Sequence, residues 1–191
     1  DNKPASSATG AATPAKKASF RSIDITGAEY ARTLELRDAD GKARTLADFK
    51  GRVVVVFFGY TQCPDVCPTT MAELSEVRRA LGAEGEKLQG IFVTVDPERD
   101  TPQVLKAYVD NFNAGFLGLR GTADQTKQVA REYKVFYAKV PGKTESSYTI
   151  DHTAGSFVFD TQGRVRLFTR YGSGAEALKH DLGLLLAENP A

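Results

Sequence analysis

The run Val53-Val54-Val55-Val56-Phe57-Phe58, bounded by Gly51 and Gly59, constrains the fold of this chain more than any other feature. It is apolar at every position rather than at alternate ones, which predicts a strand buried on both faces and therefore a sheet with layers packed above and below it. It is far shorter than the ~20 residues that cross a bilayer. Directly beyond it lie the two cysteines of the chain, Cys63 and Cys67. A pair so closely spaced cannot be the disulfide framework of a small secreted scaffold. With 191 residues, the chain also buries roughly two thirds of its unfolded surface and needs no metal staple to fold. The cysteines are therefore a candidate site, although they do not by themselves identify a compartment.

Around the central strand the pattern alternates strand and helix. Residues 1–19 contain no aromatic or branched aliphatic side chain, so they are expected to form a flexible tether ahead of one domain at residues 20–191. The chain opens on Asp1 rather than methionine, and the expectation is that a signal or membrane anchor lies upstream. Leu34 and Leu36, the turn Asp38-Ala39-Asp40-Gly41-Lys42 and Arg44-Thr45-Leu46 predict a β-hairpin added to the main sheet. Met71, Leu74, Val77 and Leu81 have helical spacing after Pro68. A strand at Ile91–Val95 precedes Asp96-Pro97-Glu98-Arg99-Asp100-Thr101-Pro102 and a helix carrying Leu105, Val109 and Phe112. A helix around Asp124–Lys134 leads through an irregular segment to Asp151-His152. Strands at Ser156–Phe159 and Val165–Thr169 and a helix from about Ala175 close the chain. The order β-α-β-α-β-β-α, with a dithiol after the first of these strands, predicts an α/β thioredoxin-like fold carrying an N-terminal hairpin extension and insertions.

In Cys63-Pro64-Asp65-Val66-Cys67-Pro68 each cysteine precedes a proline, which disfavours the α region at both and keeps the pair off one regular helix. The simplest arrangement puts Pro68 at the first helical position and Cys67 at the N-cap, where the helix dipole favours a thiolate. Disulfide exchange, peroxide reduction and metal binding remain open. His152 precedes a strand that a thioredoxin-like sheet brings beside the dithiol. His180 lies opposite the apolar stripe of the last helix and is expected to face solvent, outside the site. Two thiolates and an imidazole form a soft site suited to Cu(I), and to Cu(II) with a further ligand. Met71, one turn beyond Cys67, is expected in the core. The 25 Lys and Arg residues nearly cancel the 24 Asp and Glu, which leaves no electrostatic footprint for nucleic acid.

Three strings, Phe57-Phe58-Gly59-Tyr60-Thr61-Gln62-Cys63-Pro64-Asp65-Val66-Cys67-Pro68-Thr69-Thr70, Val95-Asp96-Pro97-Glu98-Arg99-Asp100-Thr101-Pro102 and Tyr148-Thr149-Ile150-Asp151-His152, resemble the Sco/SenC family of copper proteins for cytochrome c oxidase assembly. The likeness extends from about Leu34 to the C-terminus. It implies a metallochaperone rather than an enzyme, with copper held by Cys63, Cys67 and His152. The implied partners are the CuA-bearing oxidase subunit and other copper-delivery proteins. It further implies a periplasmic domain tethered to the inner membrane, or one in the mitochondrial intermembrane space. The alternative is a thiol-disulfide oxidoreductase that reduces the CuA cysteines; a copper or redox sensor is a third reading. Val66-Cys67-Pro68-Thr69 is also similar to the peroxidatic segment of peroxiredoxins, but Pro64 stands where they need Thr or Ser, which argues against peroxidase chemistry. Thr153-Ala154-Gly155 lacks the proline that faces the dithiol in thioredoxins, which leaves room for a metal.

Overall fold

The computed structural model describes residues 19–188, so the expected tether lies almost wholly outside the described residues. From Ser19 the chain runs through β1 (Ile23–Asp24), β2 (Glu35–Arg37), β3 (Ala43–Thr45), β4 (Val53–Gly59), α1 (Val66–Ala80), β5 (Leu88–Thr94) and α2 (Pro102–Asp110). It continues through β6 (Leu117–Leu119), α3 (Ala123–Glu132), β7 (Tyr137–Val140), β8 (Thr149–His152), β9 (Gly155–Phe159), β10 (Val165–Arg170) and α4 (Ala175–Ala187). The main sheet has six strands in the order β1-β10-β9-β4-β5-β6. Strands β4, β5 and β6 are parallel, whereas β9 runs antiparallel to β4 and β10 antiparallel to β9.

Every residue of β4 is buried, as its unbroken apolar run requires. Val54, Val56 and Phe58 face one layer, built with Tyr133 at the C-cap of α3, Leu36 of β2 and Ile150 of β8. Val53, Val55 and Phe57 face the other, built with Met71, Leu74 and Val77 of α1, Leu105 and Val109 of α2, and Leu178, Leu182 and Leu185 of α4. Each such large side chain, fully buried, contributes about 1.5–3 kcal/mol, so the end of β4 is rigidly held where the cysteine loop begins.

Four local expectations are corrected. The β2–β3 hairpin forms a separate two-stranded sheet, joined to the edge of the main sheet by one bridge between Arg37 and Arg120. The added strand of the main sheet is instead β1. A third parallel strand, β6, precedes α3; its central Gly118 allows Leu105 to approach so closely that a Cβ there would stand 2.6 Å from Leu105 Cγ. The segment expected to be irregular is the antiparallel β7–β8 hairpin, with Tyr137 opposite His152. Finally, α1 starts two residues early, with Asp65 at its N-cap. Thr69 N–H is the first bonded to that turn, 3.2 Å from Asp65 O, so Pro68 occupies the last position that needs no donor and Cys67 can enter the helix.

A candidate metal centre at the end of the central strand

Gly59 ends β4 against the dithiol: a Cβ at this position would stand 2.6 Å from Cys67 Sγ and 3.0 Å from the rings of Phe57 and Phe92. The chain then turns at Tyr60, whose carbonyl accepts from Cys63 N–H at 3.2 Å. Cys63 stays on this loop and is half-buried, whereas Cys67 occupies the first turn of α1 with 0% exposure. His152 reaches the pair from the end of β8. One ligand atom from each of Cys63, Cys67 and His152 lies within 4.8 Å of the other two. Cys67 Sγ is 3.6 Å from His152 Nε2.

The imidazole is oriented on three sides. Its Nδ1 lies 3.1 Å from Thr153 O, an oxygen that can only accept, so Nδ1 carries the hydrogen and the lone pair of the neutral ring is on Nε2, toward the thiols. Phe57 and Tyr60 meet the ring edge-on, with centroids 6.2 and 5.9 Å away.

The two cysteines divide their proton unequally. The hydrogen bond from the Cys67 thiol holds Cys63 down at about 4, against the opposing effect of its partial burial. The same hydrogen bond, followed by deep burial, pushes Cys67 well above the ordinary thiol range. Charge is thus favoured at Cys63 rather than at Cys67, where the helix start alone would put it. Position in the first helical turn favours charge at Cys67, but donation to a neighbouring thiolate and loss of solvent outweigh it.

The Asp96–Pro102 string is the scaffold of this site. Asp100, 0% exposed, accepts from Thr61 N–H at 3.1 Å, Thr61 Oγ1 at 2.6 Å and Thr94 Oγ1 at 2.6 Å, tying the cysteine loop to β5. Thr101 caps α2, accepting from Val104 N–H. Asp96 pairs with Arg99 at 2.5 Å and accepts from Tyr148 Oη at 2.6 Å. Arg99 donates to the carbonyls of Tyr148 at 2.8 Å and Ser146 at 3.1 Å and to Gln62 Oε1 at 3.2 Å, with its guanidinium 3.6 Å from the Tyr148 ring centroid. Tyr60 Oη accepts from Ile150 N–H at 3.1 Å. Two clamps therefore converge: Asp100 fixes the loop bearing Cys63, and Arg99 with Tyr60 fixes the hairpin bearing His152.

Cys63 and His152 open into a cleft of about 310 Å³ lined also by Tyr60, Val66, Ile150 and Ala154, with the buried Cys67 behind them. Larger clefts of about 430 and 670 Å³ lie beside α3 and β10 and hold no thiol or imidazole; donor chemistry, not volume, marks a metal site. Met71 is in the core, as expected. His180 is outside the cluster, as expected, but it is half-buried rather than facing open solvent, with Nε2 3.2 Å from Ser19 O. Asp96, Arg99, Asp100, Tyr60 and Tyr148 were not expected as site residues, although all fall within the three motif strings.

Comparison with known proteins places this chain in a defined group. The SCO1/SenC family model matches residues 24–187. The mitochondrial SCO2 homologue of Bos taurus is 41% identical over 144 residues, covering 74% of this chain and 53% of its own length. An SCO2-like protein of Rickettsia felis is 37% identical over 131 residues, covering 68% of this chain and 64% of its own. The chain therefore spans between half and two thirds of these curated relatives. Among solved structures, copper-bound ScoI of Bradyrhizobium japonicum matches with a TM-score of 0.73 at 42% identity, covering 81% of this chain and 98% of that one. Copper-bound yeast Sco1 matches with a TM-score of 0.73 at 27% identity, covering 83% and 88%.

Proposed function

This chain belongs to the SCO1/SenC family, and from that premise we propose that it is a copper chaperone holding one Cu(I) through Cys63, Cys67 and His152 for the CuA centre of cytochrome c oxidase. The observation that carries the reading is the convergence of two sulfurs and a lone-pair-bearing Nε2 within 4.8 Å, reached through a cleft that Cys63 and His152 line. Two thiolates and an imidazole form a soft, low-coordinate set that selects Cu(I) over hard cations. Support comes also from the copper-bound relatives. Three ligands leave the metal open to a fourth, so an incoming cysteine or histidine of a partner exchanges with one ligand at a time and copper passes without being released. Oxidising the dithiol removes both sulfur ligands and gates loading. We place the domain in the periplasm, or in the intermembrane space of a mitochondrion, held by an upstream anchor. Relatives named as mitochondrial support the second setting. Among the described residues no helix is long and apolar enough to cross a membrane.

One observation favours a second reading, a thiol-disulfide oxidoreductase acting on the CuA cysteines: Cys63 is half-buried at the cleft and Cys67 fully buried behind it, the arrangement of an attacking and a resolving sulfur. The experiment that separates them offers the protein either a reduced, metal-free CuA domain or the same domain oxidised to its disulfide. Copper appearing in the reduced domain, with dependence on His152, supports the chaperone. Reduction of the oxidised domain by the metal-free protein, unaffected by His152→Ala and without copper transfer, supports the oxidoreductase instead.

A further inference from the structure

Exposed apolar side chains recur on the segments that flank the His152 strand. Among the described residues five large apolar side chains are exposed, and Phe136, Val140 and Tyr171 are three of them; Phe136, at 63%, is the most exposed. Phe136 and Tyr171 flank the segment that follows His152 on opposite sides. Phe136 O accepts from Thr153 N–H at 2.9 Å and Phe136 N–H donates to Thr153 Oγ1 at 2.8 Å. Tyr171 N–H donates to Ala154 O at 3.1 Å, and Ala154 itself lines the cleft. The register of the hairpin places Ala138 and Val140 opposite Asp151 and Thr149, so they share with Phe136 the face that carries these two cleft-lining residues, while His152 is on the other face. Nothing in the fold requires these aromatics to be exposed, and their removal from water would be favourable.

We propose that Phe136 and Tyr171 are the anchors of the docking surface for the protein that exchanges copper with this site. This inference rests on the chaperone reading. A metal held by Cys63, Cys67 and His152 can be exchanged only when a donor atom of the partner enters the cleft mouth, so the rim of that mouth is buried in the transfer complex. Aromatic side chains at such a rim are the usual carriers of binding energy. The charges also limit the partner. Asp65 and Asp151 line the cleft, Arg170 directly precedes Tyr171, and Lys139 of β7 is paired with Glu98 at 3.2 Å. The rim therefore carries both signs without a strong excess, and it fits a partner whose cysteine or histidine donors sit on an apolar loop without strong net charge. Binding should depend only weakly on salt.

The test uses a reduced, metal-free CuA domain as probe. Binding and the rate of copper arrival are measured for wild type, Phe136→Ser, Tyr171→Ser, the double variant and the control Val104→Ser, which removes an exposed apolar side chain on α2. Copper affinity against a small chelator is expected to be unchanged in all of them, as neither aromatic is a ligand. Binding of the CuA domain should weaken about thirtyfold or more in the double variant, as for lost hot-spot anchors, and stay at wild-type strength in the control. Equal binding and equal transfer rates for the double variant and wild type overturn the proposal, as does failure of wild type to bind the domain. A concentration-dependent dimer of this chain that the same substitutions dissolve also overturns it, since the occupant is then a second copy. Binding through the two aromatics without copper movement upholds the surface and removes the delivery reading.

Discussion

Replacing Arg99 with alanine tests whether the Asp96–Pro102 string holds His152 in place. The Arg99 and Asp96 side chains are 11% and 2% exposed, so the substitution strands a buried carboxylate with the Tyr148 hydroxyl as its remaining side-chain partner. Removing one member of a buried ion pair costs about 3–5 kcal/mol. In a domain of this size each kcal/mol moves the melting temperature by about 2–4 °C, so a fall of roughly 6–20 °C is expected by calorimetry. With typical stabilities of about 5–15 kcal/mol, most of the variant remains folded near room temperature. Its Cu(I) affinity, measured by chelator competition well below its transition, should fall toward that of His152→Ala. Combining the two substitutions should weaken binding little further, because Arg99 holds mainly the hairpin of His152, through the carbonyls of Ser146 and Tyr148, and touches the cysteine loop only at exposed Gln62, while Asp100 separately fixes the loop of Cys63. An unchanged melting temperature, or a loss of affinity that adds in full to that of His152→Ala, would refute the clamp.

Gly59→Ala places a methyl 2.6 Å from Cys67 Sγ, between Phe57 and Phe92; overpacking of this kind costs about 1–3 kcal/mol, and copper affinity should fall with stability, while equal affinity would show that the sulfur position is not critical. From about pH 4, where Cys63 loses its proton, up to the ordinary thiol range, the folded dithiol carries one proton and the unfolded chain two. Stability contributed by Cys63 should therefore rise with pH across this window and be lost as pH falls through about 4. The raised Cys67 acts in the opposite sense above the ordinary thiol range, where the unfolded chain alone loses that proton. At pH 7 Cu(I) binding should then release one proton, from Cys67, which calorimetry in buffers of different ionisation enthalpy would count; release of two would contradict the assigned thiolate. Oxidation of the dithiol should abolish copper binding, and full recovery on reduction distinguishes gating from damage.

Where burial on both faces governs a segment, its identity was legible from residue type alone: Val53–Gly59 could be little else but a central strand, and the apolar stripe of α1 follows from its spacing. Strands that carry no such pattern were not legible. Leu117-Gly118-Leu119 is short and centred on a glycine whose purpose is contact with Leu105 on another element. Tyr137–Val140 and Thr149–His152 are largely solvent-facing, so their pairing depends on Tyr60, Asp96 and Arg99 rather than on their own composition. The three donors were legible because few residue types can serve as soft ligands and this chain has two cysteines and two histidines. Their support was less so. A buried carboxylate such as Asp100 is tolerable only with donors supplied by Thr61, 39 positions away, and no local pattern reveals that. The same limitation misplaced the thiolate: a helix start favours charge at Cys67, whereas the burial that opposes it is a property of the assembled core.

The central claim is that one copper is held by three side chains. It is tested most directly by an anaerobic Cu(I) titration of the reduced protein against a competing chelator, run in parallel on wild type, His152→Ala and the Cys63→Ser/Cys67→Ser variant. One tightly bound copper in wild type, weakened by loss of the imidazole and abolished by loss of the sulfurs, is the predicted result. Wild type that cannot compete for copper, or affinity indifferent to His152, would contradict it.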